Sequence, residues 1–299
     1  MYGKPIRLSL FFSYILLIVL HLTPELSSAD NKSFLWKVQS KTGVAYVLGS
    51  IHALKKELYP LDKKILDAYN ETDKLVVEVN ISKIKPETMQ KSLLEGSMYS
   101  EGRSLRNSLS RKTYGQTEAK LSEYGRSIHQ LDMFKPHFIA ITLTALEIQK
   151  QGFDTEFGID RYFLRKATRD RKEILELETF DFQADMLSSF SDEEQELFLI
   201  YTLTDMDIIG SQLDILIDSW LKGDANTMES ILMKSIADRP ELRPVYEILI
   251  NKRNEEMTSK LEHYLATDNS YFVVVGAAHL IGDRGIISLL KEKGYAITQ

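Results

Sequence analysis

The chain has 299 residues, 43% of them apolar, which is enough for one large domain or a core domain carrying a substantial insert. A formal net charge of −6 argues against a nucleic-acid binder, which usually carries a basic patch and a high pI. The absence of cysteine excludes disulfides, zinc–thiolate sites, a cysteine nucleophile and a lipid attached through cysteine.

The first 29 residues read as a signal peptide. Lys4 and Arg7 form a positive n-region, Leu8 to Leu22 an apolar stretch, and Ser27-Ser28-Ala29 a small-residue cleavage signal, so the mature chain is expected to begin at Asp30. The apolar run is short beside the roughly 20 residues of a spanning helix. An uncleaved anchor is the competing expectation. We expect an exported protein with no stable membrane anchor after cleavage, in a Gram-negative periplasm or otherwise secreted.

From residue 33 the pattern is strand, strand, helix, strand. Phe34–Val38 and Val44–Leu48 flank the turn Lys41-Thr42-Gly43, which is a hairpin signal. Pro60–Tyr69 reads as helix and Leu75–Val79 as strand. Residues 86–150 are helical and polar, with joints near Gly96, Gly102 and Gly125, except that Pro136–Gln149 is mostly apolar. Gly158–Thr168 continues helical before the strand Glu173–Leu177. Residues 191–265 are helical again, 271–275 return to strand, and Gly285–Lys293 forms the last helix. The expected fold is α/β. A central mixed β-sheet is formed by the N- and C-terminal segments of one domain, residues 30–299, with a large helical insertion over about 86–170 and 191–265.

Two short runs echo each other: Val44–His52 and Tyr271–His279. Each is a set of β-formers followed by Gly, two small or apolar residues, and His. Residues just past the carboxyl ends of strands line the ligand crevice of α/β sheets. His52 and His279 therefore point to one composite site, where imidazole can bind metal, act as a base or donate a hydrogen bond. Glu78 ends the apolar strand Leu75–Val79, either as a solvated strand end or as a buried carboxylate that needs a partner. Glu178 stands at the exit of the next strand and is preferred to Glu176. Arg253 and Asn254 fall near the apolar stripe of a helix expected over 245–265, so two polar side chains there require partners such as Glu78, Glu178 or a substrate. Asp160, in Gly158-Ile159-Asp160, is either a helix-start carboxylate or a site residue, and the structural role is preferred. His129, His137 and His263 lie in polar helical contexts and are read as non-catalytic, while His21 is lost with the leader. Phosphate-binding and serine-hydrolase signatures and the zinc-protease motif His-Glu-x-x-His are absent.

These residues resemble the TraB/GumN family, which is related to the Tiki ectodomains. The likeness runs from about Ser33 to Tyr295. It rests on Leu35-Trp36, Leu48–His52, Val76–Glu78, Phe134–Pro136, Gly158–Asp160, Leu177–Thr179, Trp220–Asp224, Arg253-Asn254 and Val275–Gly282. His137 stands where that family commonly has Trp. The resemblance implies an α/β core shared with erythromycin-esterase-like and haem-binding relatives. It also implies a site of two Gly-x-x-His motifs and acidic residues, and a metal-dependent peptidase activity favouring Mn²⁺ or Co²⁺, with Zn²⁺ also admitted. On that basis His52 and His279 are expected as metal ligands, with Glu78 as ligand or base and Glu178 as a second carboxylate. Arg253 and Asn254 are expected to orient a carboxylate or stabilise an oxyanion. Two imidazoles and carboxylates without a thiolate suit a borderline-to-hard divalent ion. The substrate would be a peptide or small molecule. Metal-free, histidine-based esterase chemistry, haem or ligand binding, and a part in envelope assembly are the alternatives.

Overall fold

In a computed structural model, residues 32–299 are described, and the expected leader lies outside them. Strands β1 (Leu35–Gln39), β2 (Val44–Ser50), β3 (Lys74–Val77), β4 (Glu173–Glu176), β5 (Ser270–Gly276) and β6 (Ala296–Thr298) form one sheet. Their order is β4-β3-β5-β2-β1-β6. The first two strands pair antiparallel across the 41–43 turn, from Leu35↔Leu48 to Gln39↔Val44, and β6 pairs antiparallel with β1. The β4-β3-β5-β2 block is parallel. Both ends of the described stretch therefore meet in one mixed sheet.

The β5 run, Ser270-Tyr-Phe-Val-Val-Val-Gly276, is buried from Tyr271 onward. A continuous apolar strand of this kind belongs at the centre of a sheet covered on both faces. Its parallel register with β2 ends at Ser50↔Gly276. This pairing brings the two Gly-x-x-His turns off the same edge of the sheet, on adjacent strands.

Between β2 and β3 lies α1 (Lys63–Asn70). Between β3 and β4 come α2 (Pro86–Ser97), α3 (Leu105–Ser108), α4 (Arg111–Glu123), α5 (Pro136–Lys150) and α6 (Ile159–Asp170). Between β4 and β5 come α7 (Phe180–Ser188), α8 (Asp192–Lys222), α9 (Ala225–Leu232), α10 (Lys234–Asp238), α11 (Arg243–Tyr246) and α12 (Lys252–Leu265), and α13 (Ile286–Glu292) follows β5. The largest apolar core lies on the sheet, where Tyr69 and Phe163 pack on Phe272 at ring distances of 5.5 and 4.7 Å. A second core, including Leu121, Ile139, Leu143 and Leu199, holds α4, α5 and α8 together as a helical lobe. Among the described residues no helix is long and apolar enough to cross a membrane.

Three expectations are corrected. The third strand stops at Val77 rather than Val79, so Glu78 lies in the exit turn. A last strand, Ala296–Thr298, follows the C-terminal helix; three residues on a sheet edge are too few to show alternation in sequence. The helix expected over 245–265 is interrupted by a π-turn, Glu247–Asn251, which breaks the 100° phasing of a straight wheel just before Arg253.

Candidate functional site

The exits of the parallel strands supply the site. Pairing between β3 and β4 continues past the strands: the Leu177 amide donates to Val77 O at 2.8 Å and the Glu178 amide to Glu78 O at 2.7 Å. The two acidic residues thus leave the sheet level with each other. Both are buried, at 8% and 4% exposure.

Burial on that scale demands a counter-charge, and Arg253, at the start of α12, provides it. Its Nε donates to Glu178 Oε1 at 2.9 Å, and its Nη2 donates to Glu178 Oε2 at 2.7 Å and to Glu78 Oε2 at 2.9 Å. Nη1 donates to the carbonyl of Leu249, inside the π-turn, at 2.9 Å. Gln183 of α7 adds an amide donor, 2.7 Å from Glu178 Oε2 and 3.5 Å from Glu78 Oε2. The remaining oxygen of Glu78, Oε1, accepts from the Gly276 amide. Burial pushes the Glu78 carboxyl up, but His279, His52, Arg253 and the Gly276 amide outweigh it and hold it down at about 2.

The imidazoles face Glu78 from the other side. His52 Nδ1 lies 2.8 Å from Asp160 Oδ2, and Asp160 Oδ1 accepts from Ser50 Oγ at 3.0 Å. This approach depends on Gly158 at the start of α6, because a Cβ there would stand 2.2 Å from the His52 carbonyl oxygen. Only glycine lets the helix start, and Asp160 with it, reach the His52 turn. The Asp160 carboxylate raises the His52 ring to about 9, against the opposing effect of desolvation.

His279 is held differently. Its Nδ1 is 2.6 Å from Asn254 Oδ1, while Asn254 Nδ2 donates to the Arg284 carbonyl at 2.8 Å. The second bond orients the amide, so Oδ1 faces the ring and His279 Nδ1 carries the proton. Nε2 is left with its lone pair, 3.8 Å from Glu78 Oε1. Burial lowers this imidazole to about 4, against the pull of Glu78.

Gly276 marks the point of convergence. A Cβ there would lie 3.1 Å from Glu78 Oε1, 3.4 Å from His52 Nε2 and 3.5 Å from His279 Cδ2. Among the described residues no three His, Asp or Glu side chains stand close enough together to hold a metal ion as they are. The donor chemistry nevertheless fits one. Both imidazoles are gripped at Nδ1 with Nε2 turned inward, a carboxylate oxygen lies beside them, and a cradle that a single methyl would fill lies between.

All six residues singled out in the sequence therefore gather at one sheet edge. Arg253 faces the carboxylates, whereas Asn254, fully buried, faces His279. Asp160, read as structural, is drawn into the site by His52. Gln183 and Ser50 carry no signal in the sequence: each is a common polar residue with a partner on a distant segment, Glu78 for Gln183 and Asp160 for Ser50. His137 is buried rather than in a polar setting. It is held by Gln195 and Ser97 inside the helical lobe, while His263 Nδ1 meets the Ser259 carbonyl on α12.

The fold and site define a mixed α/β protein with a composite histidine–carboxylate–arginine centre at the carboxyl edge of parallel strands. The chain belongs to the TraB/PrgY/gumN family, whose model matches residues 34–299. It is 26% identical to the uncharacterized protein YbaP of Escherichia coli (strain K12), over 82% of this chain and 87% of that one. It is 25% identical to an uncharacterized protein of Treponema pallidum (strain Nichols), over 90% and 83% respectively. A metalloprotease TIKI homolog of Nematostella vectensis is 22% identical over 89% of this chain and 66% of its own length. No solved structure matches the chain.

Proposed function

We propose that the protein is an exported, metal-dependent hydrolase of peptide-like substrates. The observation that carries this is the convergence of His52 Nε2, Glu78 Oε1 and His279 on Gly276, with each imidazole held from behind at Nδ1. The metalloprotease names of the distant Tiki relatives support the same chemistry. Kinship with erythromycin-esterase-like folds belongs to this proposal and is supported by the sheet-edge placement of the histidines. Export rests on the Lys4–Ala29 segment.

His52, His279 and Glu78 would hold the ion, with Mn²⁺ or Co²⁺ favoured. When bound, a divalent ion lowers the pKa of water and polarises a carbonyl. Glu78, held near 2, is a weaker base than His279 and is better suited as a ligand. His279 offers a neutral Nε2 lone pair. Arg253 and the Gly276 amide keep Glu78 ionised and fixed.

The opposite proton states of the two rings favour a second chemistry as well: metal-free hydrolysis, with His52 as acid and His279 as base. A mixed peptide pool incubated with the protein separates the two. Cleavage abolished by chelation and restored by Mn²⁺ supports the metal enzyme, and cleavage indifferent to chelation supports the metal-free one. No cleavage under either condition refutes the peptidase assignment.

A further inference from the structure

We propose that Gln183 is a positioning residue that clamps Glu178 to Glu78 and sets which oxygen of Glu78 faces the imidazoles; this deepens, and rests on, the assignment of that edge as a metal centre. Helix α7 begins two residues after Glu178. Thr179 caps it, its hydroxyl accepting from the Phe182 amide at 3.1 Å, so Gln183 falls in the first turn and reaches back over the strand exits. The Gln183 Nε2 group carries two hydrogens, and two carboxylate oxygens stand before it, Glu178 Oε2 at 2.7 Å and Glu78 Oε2 at 3.5 Å. Arg253 Nη2 reaches the same two oxygens from α12, at 2.7 and 2.9 Å. Oε2 of Glu78 is thus held from two elements, and Oε1 is the oxygen left turned towards Gly276 and His279.

Charge explains why an amide suits this position. Arg253 offsets one of two buried carboxylates. A lysine at 183 would offset the other and repel an incoming cation. A carboxamide supplies two donors while leaving the negative charge in place.

The reach of Gln183 is fixed independently of the acids. One turn further along α7, the Leu187 carbonyl accepts from Gln195 Nε2 of α8 at 3.0 Å, and Gln195 Oε1 accepts from the His137 amide at 3.0 Å. The helix is therefore braced against the lobe and not merely draped over the site. Residues that orient metal ligands from behind typically change metal affinity by 10- to 100-fold when lost.

The test uses Gln183→Met, which keeps the length without donors, and Gln183→Asn, which keeps the amide one methylene short. Mn²⁺ affinity is measured by calorimetry, the visible band of bound Co²⁺ by absorption, and the Arg253 Nε–H resonance by NMR. Both variants should bind Mn²⁺ at least tenfold more weakly, shift the Co²⁺ band and move the Arg253 resonance. Wild-type values for all three in Gln183→Met overturn the proposal. Should the unaltered protein bind neither ion, the metal assignment falls and the Arg253 resonance alone decides. A shift in either variant then sustains the clamp, and no shift refutes it.

Discussion

Asn254 fixes the tautomer of His279. Its Oδ1 stands 2.6 Å from the ring Nδ1 while its Nδ2 is committed to the Arg284 carbonyl, so the imidazole proton is pinned at Nδ1 and Nε2 is left to face Glu78. An isosteric change removes that logic without altering shape. In Asn254→Asp the carboxylate should raise the His279 pKa from about 4 by at least one unit, because an adjacent negative charge favours imidazolium. The variant also loses a buried donor to Arg284 O, a penalty of about 1–3 kcal/mol. NMR titration of the ring reads the first effect and chemical denaturation the second. A His279 that still titrates near 4 in the variant would contradict the assigned contact.

Arg253 is the counter-charge for two buried acids, so its removal should be felt in stability before activity. Arg253→Met should destabilise by about 3–5 kcal/mol, the usual cost of leaving a buried ionic partner uncompensated. A loss below 1 kcal/mol in urea denaturation would mean that the pair is solvated in solution.

Gly276→Ala separates fold from site. The backbone at Gly276, φ −52° and ψ 135°, accepts any residue, so the change carries no backbone strain. The new methyl would sit 3.1 Å from Glu78 Oε1 and 3.4 Å from His52 Nε2. We expect a stability loss within about 1–3 kcal/mol from local overpacking and a loss of Mn²⁺ binding of tenfold or more. Retained Mn²⁺ affinity in a folded variant would move the site elsewhere.

The pH dependence of the metal-free protein has a defined sign. The His279 pKa of about 4 lies below the ordinary 6.5, so the unfolded chain takes up the proton first and stability falls from pH 6.5 towards 4. This limb amounts to roughly 3 kcal/mol. Glu78, held near 2, contributes stability that is present above 4.5 and lost as the pH falls towards 2. His52, raised to about 9, acts in the opposite direction: its contribution is full below 6.5 and fades as the pH rises through 9. Its side chain is 66% exposed, so solvent makes this the weakest limb. Stability should peak near pH 6.5, and His279→Gln should flatten the slope between 6.5 and 4. An unchanged slope in that variant would assign the limb to other groups.

The sequence made much of this site legible because strand exits announce themselves. Two apolar runs ending in Gly-x-x-His, and acidic residues closing short β-branched runs, are local signals. The roles within them are not local. Gly49 and Gly276 look alike in the two runs, yet a Cβ at Gly49 would strike the Phe34 ring at 2.4 Å, while one at Gly276 would enter the site. Only the Ser50↔Gly276 register distinguishes them. The site roles of Asp160 and Gln183 are hidden in the sequence because the partners that reveal them, His52 and Glu78, lie 108 and 105 residues away, across turns whose direction no periodicity encodes. Arg253 and Asn254 could be picked out as polar residues near an apolar stripe. Their division of labour depends on the π-turn at 247–251, which is invisible to a wheel drawn at 100° per residue.

The most direct measurement is a calorimetric titration of the protein with Mn²⁺, Co²⁺ and Zn²⁺ beside the His52→Ala/His279→Ala double variant. We predict near-stoichiometric binding of at least one ion by the unaltered protein and its loss in the variant, with the variant still folded by circular dichroism. Absence of binding by the unaltered protein, or equal binding by both, would contradict a metal centre built on the two histidines.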